Sequence, residues 1–74
     1  MAKHLIMDVT GHEAIEFDAL DKSELEAAMD RFVALTKTGH AAATRKKGER
    51  DYKVVKSFKD TEDETLFVPA MRGG

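Results

Sequence analysis

The sequence predicts a small α+β domain of two layers, in which one amphipathic helix lies on one face of a sheet. Three observations carry this. The chain has 74 residues, enough for one hydrophobic core and no second. A single stretch, ending near Gly39, repeats its apolar residues at helical spacing. The other apolar residues fall in short runs between turn signals, giving the order strand, strand, helix, strand, strand, strand.

Residues 4–9 predict the first strand, with Leu5, Met7 and Val9 at period two. Thr10-Gly11-His12 signals a turn, and Ile15 and Phe17 resume the alternation, so the two runs predict a β-hairpin. Ser23-Glu24-Leu25-Glu26 fits a capping box, and Asp21-Lys22-Ser23-Glu24 offers the same device two residues earlier. Leu25, Ala28, Met29, Phe32 and Val33 then form the expected buried stripe of the helix. Lys37 suits the helix dipole near the last turn, and Gly39 suits a left-handed C-terminal cap. Ala41–Thr44 predicts a weak strand and Lys46–Glu49 a turn. Tyr52–Phe58 predicts a clearer strand with Tyr52, Val54 and Phe58 on one face. Asp60–Glu64 reads as a loop or single turn, and Thr65–Val68 as a last short strand that Pro69 ends, because proline has no N–H for the ladder. The simplest packing sets Leu25, Met29 and Phe32 against Leu5, Met7, Ile15, Phe17, Val54 and Leu66.

Composition narrows the function. So small a domain has little room for a deep pocket, which favours a binding module, adaptor or modifier over an enzyme. With no cysteine, disulfides, thiolate zinc sites and cysteine nucleophiles are excluded, and a reducing cytoplasm is the expected compartment. No apolar run approaches a membrane span and no signal-peptide pattern opens the chain, so no membrane partner is expected. His4, His12 and His40 are far apart in sequence and form no i,i+4 pair, so neither a metal nor a cofactor is expected. His40 is expected to interact with the helix terminus. Net charge is −2, but acids concentrate in the first thirty residues while Arg45, Lys46, Lys47, Arg50, Lys53, Lys56 and Lys59 crowd one segment. Such separation favours oriented docking on a partner.

The chain closes on Arg72-Gly73-Gly74. Two terminal glycines arise by chance in about one chain in 200. Lacking side chains, they let a narrow enzyme cleft close round the backbone and reach the carboxylate.

This element order, with Glu64-Thr65-Leu66-Phe67-Val68 leading to Arg72-Gly73-Gly74, resembles the ubiquitin-like β-grasp family. Glu-Thr-Leu-x-Val followed by Pro69 is also similar to ubiquitin-like domains of phage tail-assembly proteins. The resemblance implies a β-grasp-like mixed sheet, one domain over residues 1–68 and a flexible tail over 69–74. It departs from ubiquitin at Pro69, where pairing is expected to stop early, and in Ala41–Phe58, which reads as one long basic hairpin. In conjugating members an activating enzyme adenylates the terminal carboxylate, transfers it to a cysteine thioester and then to an amine. By position, Gly74 would supply the carboxylate, Gly73 the unhindered approach and Arg72 a charged handle for the enzyme. The segment 69–74 spans at most roughly 20 Å extended, long enough to thread a cleft. None of these residues is catalytic.

Three functions compete. The first is a ubiquitin-like modifier or carrier, whose partner is an activating enzyme or another protein. The second is a phage or mobile-element structural or assembly protein with the same fold and no conjugation. The third is a small nucleic-acid-binding regulator that sets the basic hairpin, with Arg45, Lys46, Lys47, Arg50, Lys53 and Lys56, against phosphates. The acidic balance and the shortage of interleaved aromatics count against the third.

Overall fold

A computed structural model describes residues 1–69. Five strands and one helix follow in the order β1 (Ala2–Asp8), β2 (Gly11–Phe17), α1 (Lys22–Lys37), β3 (His40–Arg45), β4 (Lys53–Val55) and β5 (Glu64–Pro69). A 3-10 turn over Phe58–Asp60 lies between β4 and β5. The strands form one mixed sheet in the spatial order β2-β1-β5-β3-β4. β1 and β5 run parallel and every other pair antiparallel, with α1 packed on one face. The result is a two-layer, β-grasp-like α+β fold.

The first hairpin turns one residue pair earlier than expected. Val9-Thr10 is the loop, and Asp8 pairs with Gly11, which takes a positive φ of 146°. The Asp8 carboxylate closes the turn by accepting from the Thr10 N–H and hydroxyl, each at 2.7 Å. Of the two candidate helix starts, the earlier is used. Asp21 Oδ1 accepts from the N–H groups of Ser23 (2.9 Å) and Glu24 (3.2 Å), while Glu24 reaches back to the Asp18 N–H at 2.9 Å. At the other end Thr38 donates to the Ala34 and Leu35 carbonyls, and Gly39 follows at φ 102° in the cap position expected of it.

The expected core is corrected in three of the strands. Register places His4, Ile15, Thr65 and Thr44 on the face beneath α1, together with Ile6, Phe67, Ala42 and Val55. Leu5, Met7, Leu66 and Val54 therefore point to the opposite face, and Met7 is 38% exposed. Val54 is 73% exposed and Val55 only 9%. The helix stripe is rotated as well. Ala28 and Phe32 are buried and Leu25 and Leu35 half-buried, whereas Met29 and Val33 are exposed. Phe32, Ala42, Val55 and Phe67 form the centre of the core, with Ile6, Leu35 and Phe58 packed against it.

The expected long basic hairpin is also shorter than its sequence reads. β4 pairs with β3 through only three residues, Lys53, Val54 and Val55. The chain then leaves the sheet so that Phe58 can enter the 3-10 turn and meet Phe32 edge-on, with ring centres 5.9 Å apart. β5 extends through Pro69, which lies opposite His40, one residue further than the proline was expected to allow.

Polar groups hold the middle of the inner face. Thr44 Oγ1 donates to the Glu64 carbonyl at 2.8 Å, accepts from the Glu62 N–H at 2.7 Å and lies 3.2 Å from Thr65 Oγ1. His4 is wholly buried, and Arg31 Nε donates to its Nδ1 at 3.0 Å. That bond leaves the ring hydrogen on Nε2, which has no partner among the described residues. Phe17 and Phe67 flank the imidazole edge-on at 4.8 and 5.0 Å, and Phe58 at 6.3 Å. Burial, then the Arg31 charge, lower its pKa from 6.5 to about 4.

Candidate functional site

Arg72, Gly73 and Gly74 lie outside the described residues. The structure does describe the strand that leads to them. β5 is the central strand, with β1 on one side and β3 on the other. Its ladder to β3 begins at Glu64, opposite Arg45, and continues to Pro69. β5 pairs with β1 through Glu64–Phe67 and with β3 as far as Pro69, so its last two residues are held by β3 alone.

The six residues expected to form one basic surface separate into different settings. Arg45 is committed within the fold. Its Nη2 and Nε lie 2.8 and 2.9 Å from Glu64 Oε1, and its guanidinium sits 4.5 Å above the centre of the Tyr52 ring. The pair holds the Arg45 pKa above, and the Glu64 pKa below, its ordinary value, through the hydrogen bond first and charge attraction after it. Lys47 lies at the opposite end of the sheet from Pro69, in a cleft of about 360 Å³ with Lys3, Glu16 and Asp63. Its backbone N–H donates to Asp63 Oδ2 at 2.7 Å. Arg50 is exposed in the connection between β3 and β4.

Lys46, Lys53 and Lys56 do come together. They line an open trough of about 720 Å³ along the outer edge of β4, whose other wall is formed by Lys59, Asp60 and Glu62. Lys53 Nζ reaches Glu62 Oε2 at 3.3 Å. Sequence reading counted Lys59 among the bases but left it out of the surface. Its spacing from Lys53 and Lys56 gives no sign of this, because Lys59 is brought to the trough by Phe58 turning into the core.

The face of the sheet opposite α1 carries a further feature that alternation misplaced. Leu5 lies beside Leu66, Leu66 opposite Ala43, and Ala43 opposite Val54, forming an apolar row across four strands. Val68, opposite Ala41, extends it toward the end of β5. His40 opens β3 just beyond the Thr38 cap and lines a cavity with Thr36 of the last helical turn, and its Nδ1 is buried without a partner among the described residues.

Among the described residues no three His, Cys, Asp or Glu side chains converge as a metal site would require, and no helix is long and apolar enough to cross a membrane. Comparison with known protein families, with curated proteins and with solved structures finds no match for this chain.

Proposed function

We propose that this chain is a ubiquitin-like modifier or carrier, whose Gly74 carboxylate is activated and joined to a partner protein. The observation that carries this reading is the position of β5, a central strand that pairs with β1 through Phe67 and with β3 through Pro69, next to residues 70–74. A compact body is thereby joined to a short segment that reaches at most roughly 18 Å. The apolar row through Leu5, Leu66 and Val68 supports the reading too, since it offers an activating enzyme a docking face continuous with the base of that segment. In the reaction, a carboxylate oxygen of Gly74 attacks the α-phosphorus of ATP and pyrophosphate leaves. A cysteine thiolate of the enzyme then displaces AMP from the acyl carbon, and an acceptor amine displaces the thiolate.

The test uses an affinity-tagged chain in extract of its source cells, with and without ATP. Trypsin cuts after Arg72, so an acceptor lysine keeps a Gly-Gly remnant that mass spectrometry locates. The expected result is an ATP-dependent adduct that disappears when Gly73 and Gly74 are deleted, with an unchanged unfolding transition. An adduct that survives the deletion, or none in the presence of ATP, overturns the proposal.

A further inference from the structure

β4 is an edge strand, and its free side is built as a binding trough. In an antiparallel pair, alternate residues aim N–H and C=O groups away from the partner strand. Among the described residues no backbone group of Lys53, Val54 or Val55 bonds outside the ladder to β3. The facing wall is fixed in place. Asp60 N–H donates to the Ser57 carbonyl at 3.1 Å, Thr61 N–H and Oγ1 both donate to the Phe58 carbonyl, and Glu62 N–H is held by Thr44 Oγ1. Four lysines, Lys46, Lys53, Lys56 and Lys59, line this trough against two acids, and one of those acids, Glu62, is already paired with Lys53.

The trough ends in an apolar notch. β4 stops at Val55, opposite Ala42, while β3 begins two residues earlier, at His40. The space left by the missing β4 residues is a cavity of about 230 Å³ lined by Thr36, His40, Ala42, Val54, Val55 and Lys56. One leucine-sized side chain fits there.

We propose that the β4 trough takes an extended acidic peptide of a partner protein, which adds to the sheet as a further strand and seats one apolar side chain in the notch. Each feature selects a part of that ligand. The strand edge offers donors and acceptors in alternation, which a peptide backbone matches and a phosphate chain, an acceptor only, does not. The lysines select acidic side chains. The notch selects one hydrocarbon anchor beside them. A nucleic acid fits less well, because Arg45 already covers the Tyr52 ring on which a base would stack. The trough uses no residue of the tail, so this inference stands apart from the proposed conjugation.

The test takes the full chain and two capped heptapeptides of alternating threonine and glutamate, with one leucine at the first or the last position. Binding is followed by amide NMR shifts. At least one peptide is expected to bind with a Kd on the order of 100 µM, moving the resonances of Thr36, His40 and Lys53–Lys56 and leaving those of β2 in place. Replacing leucine by serine, or combining Lys56→Glu with Lys59→Glu, should each weaken binding about tenfold. Both lysines are exposed, so the amide spectrum away from the trough reports a retained fold. Methylating one set of alternate peptide amides should abolish binding, and methylating the other should not. No shift at millimolar peptide overturns the proposal and leaves the lysines as guards against pairing between copies of the chain. So does binding indifferent to the leucine, or a single-stranded oligonucleotide that moves the same resonances at lower concentration.

Discussion

His4 stands where strand alternation would place a hydrocarbon, and its neutrality is a condition of the packing. Arg31 donates to one ring nitrogen while phenyl rings surround the ring, so a proton added at Nδ1 would break that bond and set two cations together. The folded pKa, about 4, lies below the ordinary 6.5. As pH falls, the unfolded chain therefore binds this proton first. Stability is complete above about pH 6.5, drains as pH falls toward 4, and levels off below that, a loss of roughly 3 kcal/mol. Asp8 and Glu64, whose pKa values are lowered from 3.8 and 4.5, contribute further loss only below those ordinary values, as pH falls through their folded ones. In His4→Gln the amide oxygen can still accept from Arg31, and nothing at that position titrates. Urea unfolding at pH 7 and at pH 4.5 should show a clear difference for the native chain and a much smaller one for the variant. Equal pH dependence in the two would show that the histidine is not the source.

The strands show why the hydrophobic pattern left their inward faces undecided. Leu5-Ile6-Met7, Val54-Val55 and Leu66-Phe67-Val68 are unbroken apolar runs, and an unbroken run has no period-two phase to read. Polar residues at the centre of the inner face, His4, Thr44 and Thr65, pushed the reading toward the wrong phase. β2 was read correctly because Glu16 separates Ile15 from Phe17. With a two-residue loop at Val9-Thr10, the hairpin register sets His4 opposite Ile15, so a correct turn would have fixed β1 as well. The helix, its earlier cap and the element order were legible because capping residues and helical spacing act locally. The corrected faces carry a direct test. Phe67→Ala, at a residue with no exposure, should lower stability by about 3–5 kcal/mol. Leu66→Ala, its half-buried neighbour on the open face, should lower it by about 1 kcal/mol. Denaturant midpoints decide between the two orders, and equal losses would refute the register described above.

Across the whole molecule, the sheet consists of two hairpins that do not touch as strands. β1 and β2 form one, β3 and β4 the other, and β5 lies between them. The trough depends on β5 as well, since Thr44, which holds its Glu62 wall, leans on the Glu64 carbonyl at the start of that strand. No pattern of three-residue spacing among lysines could have predicted that wall, because the 58–62 segment is placed by Phe58 entering the core. Joining the halves brings Lys3 beside Glu64, nearly the full length of the chain apart, so the sheet cannot close until its last strand is present. Ending the chain after Asp63 removes β5 and with it Phe67. The two hairpins and α1 should then lose cooperative unfolding, and their amide resonances should collapse into the narrow range of an unfolded chain. Ending it after Pro69 keeps every ladder pair of β5 and should leave the thermal midpoint within a few degrees of the full chain. A folded 1–63 fragment would mean that α1 alone holds the two hairpins together. A marked loss of stability in the 1–69 fragment would assign residues 70–74 a part in the fold, and would weaken the proposal that they serve as a free arm for a partner enzyme.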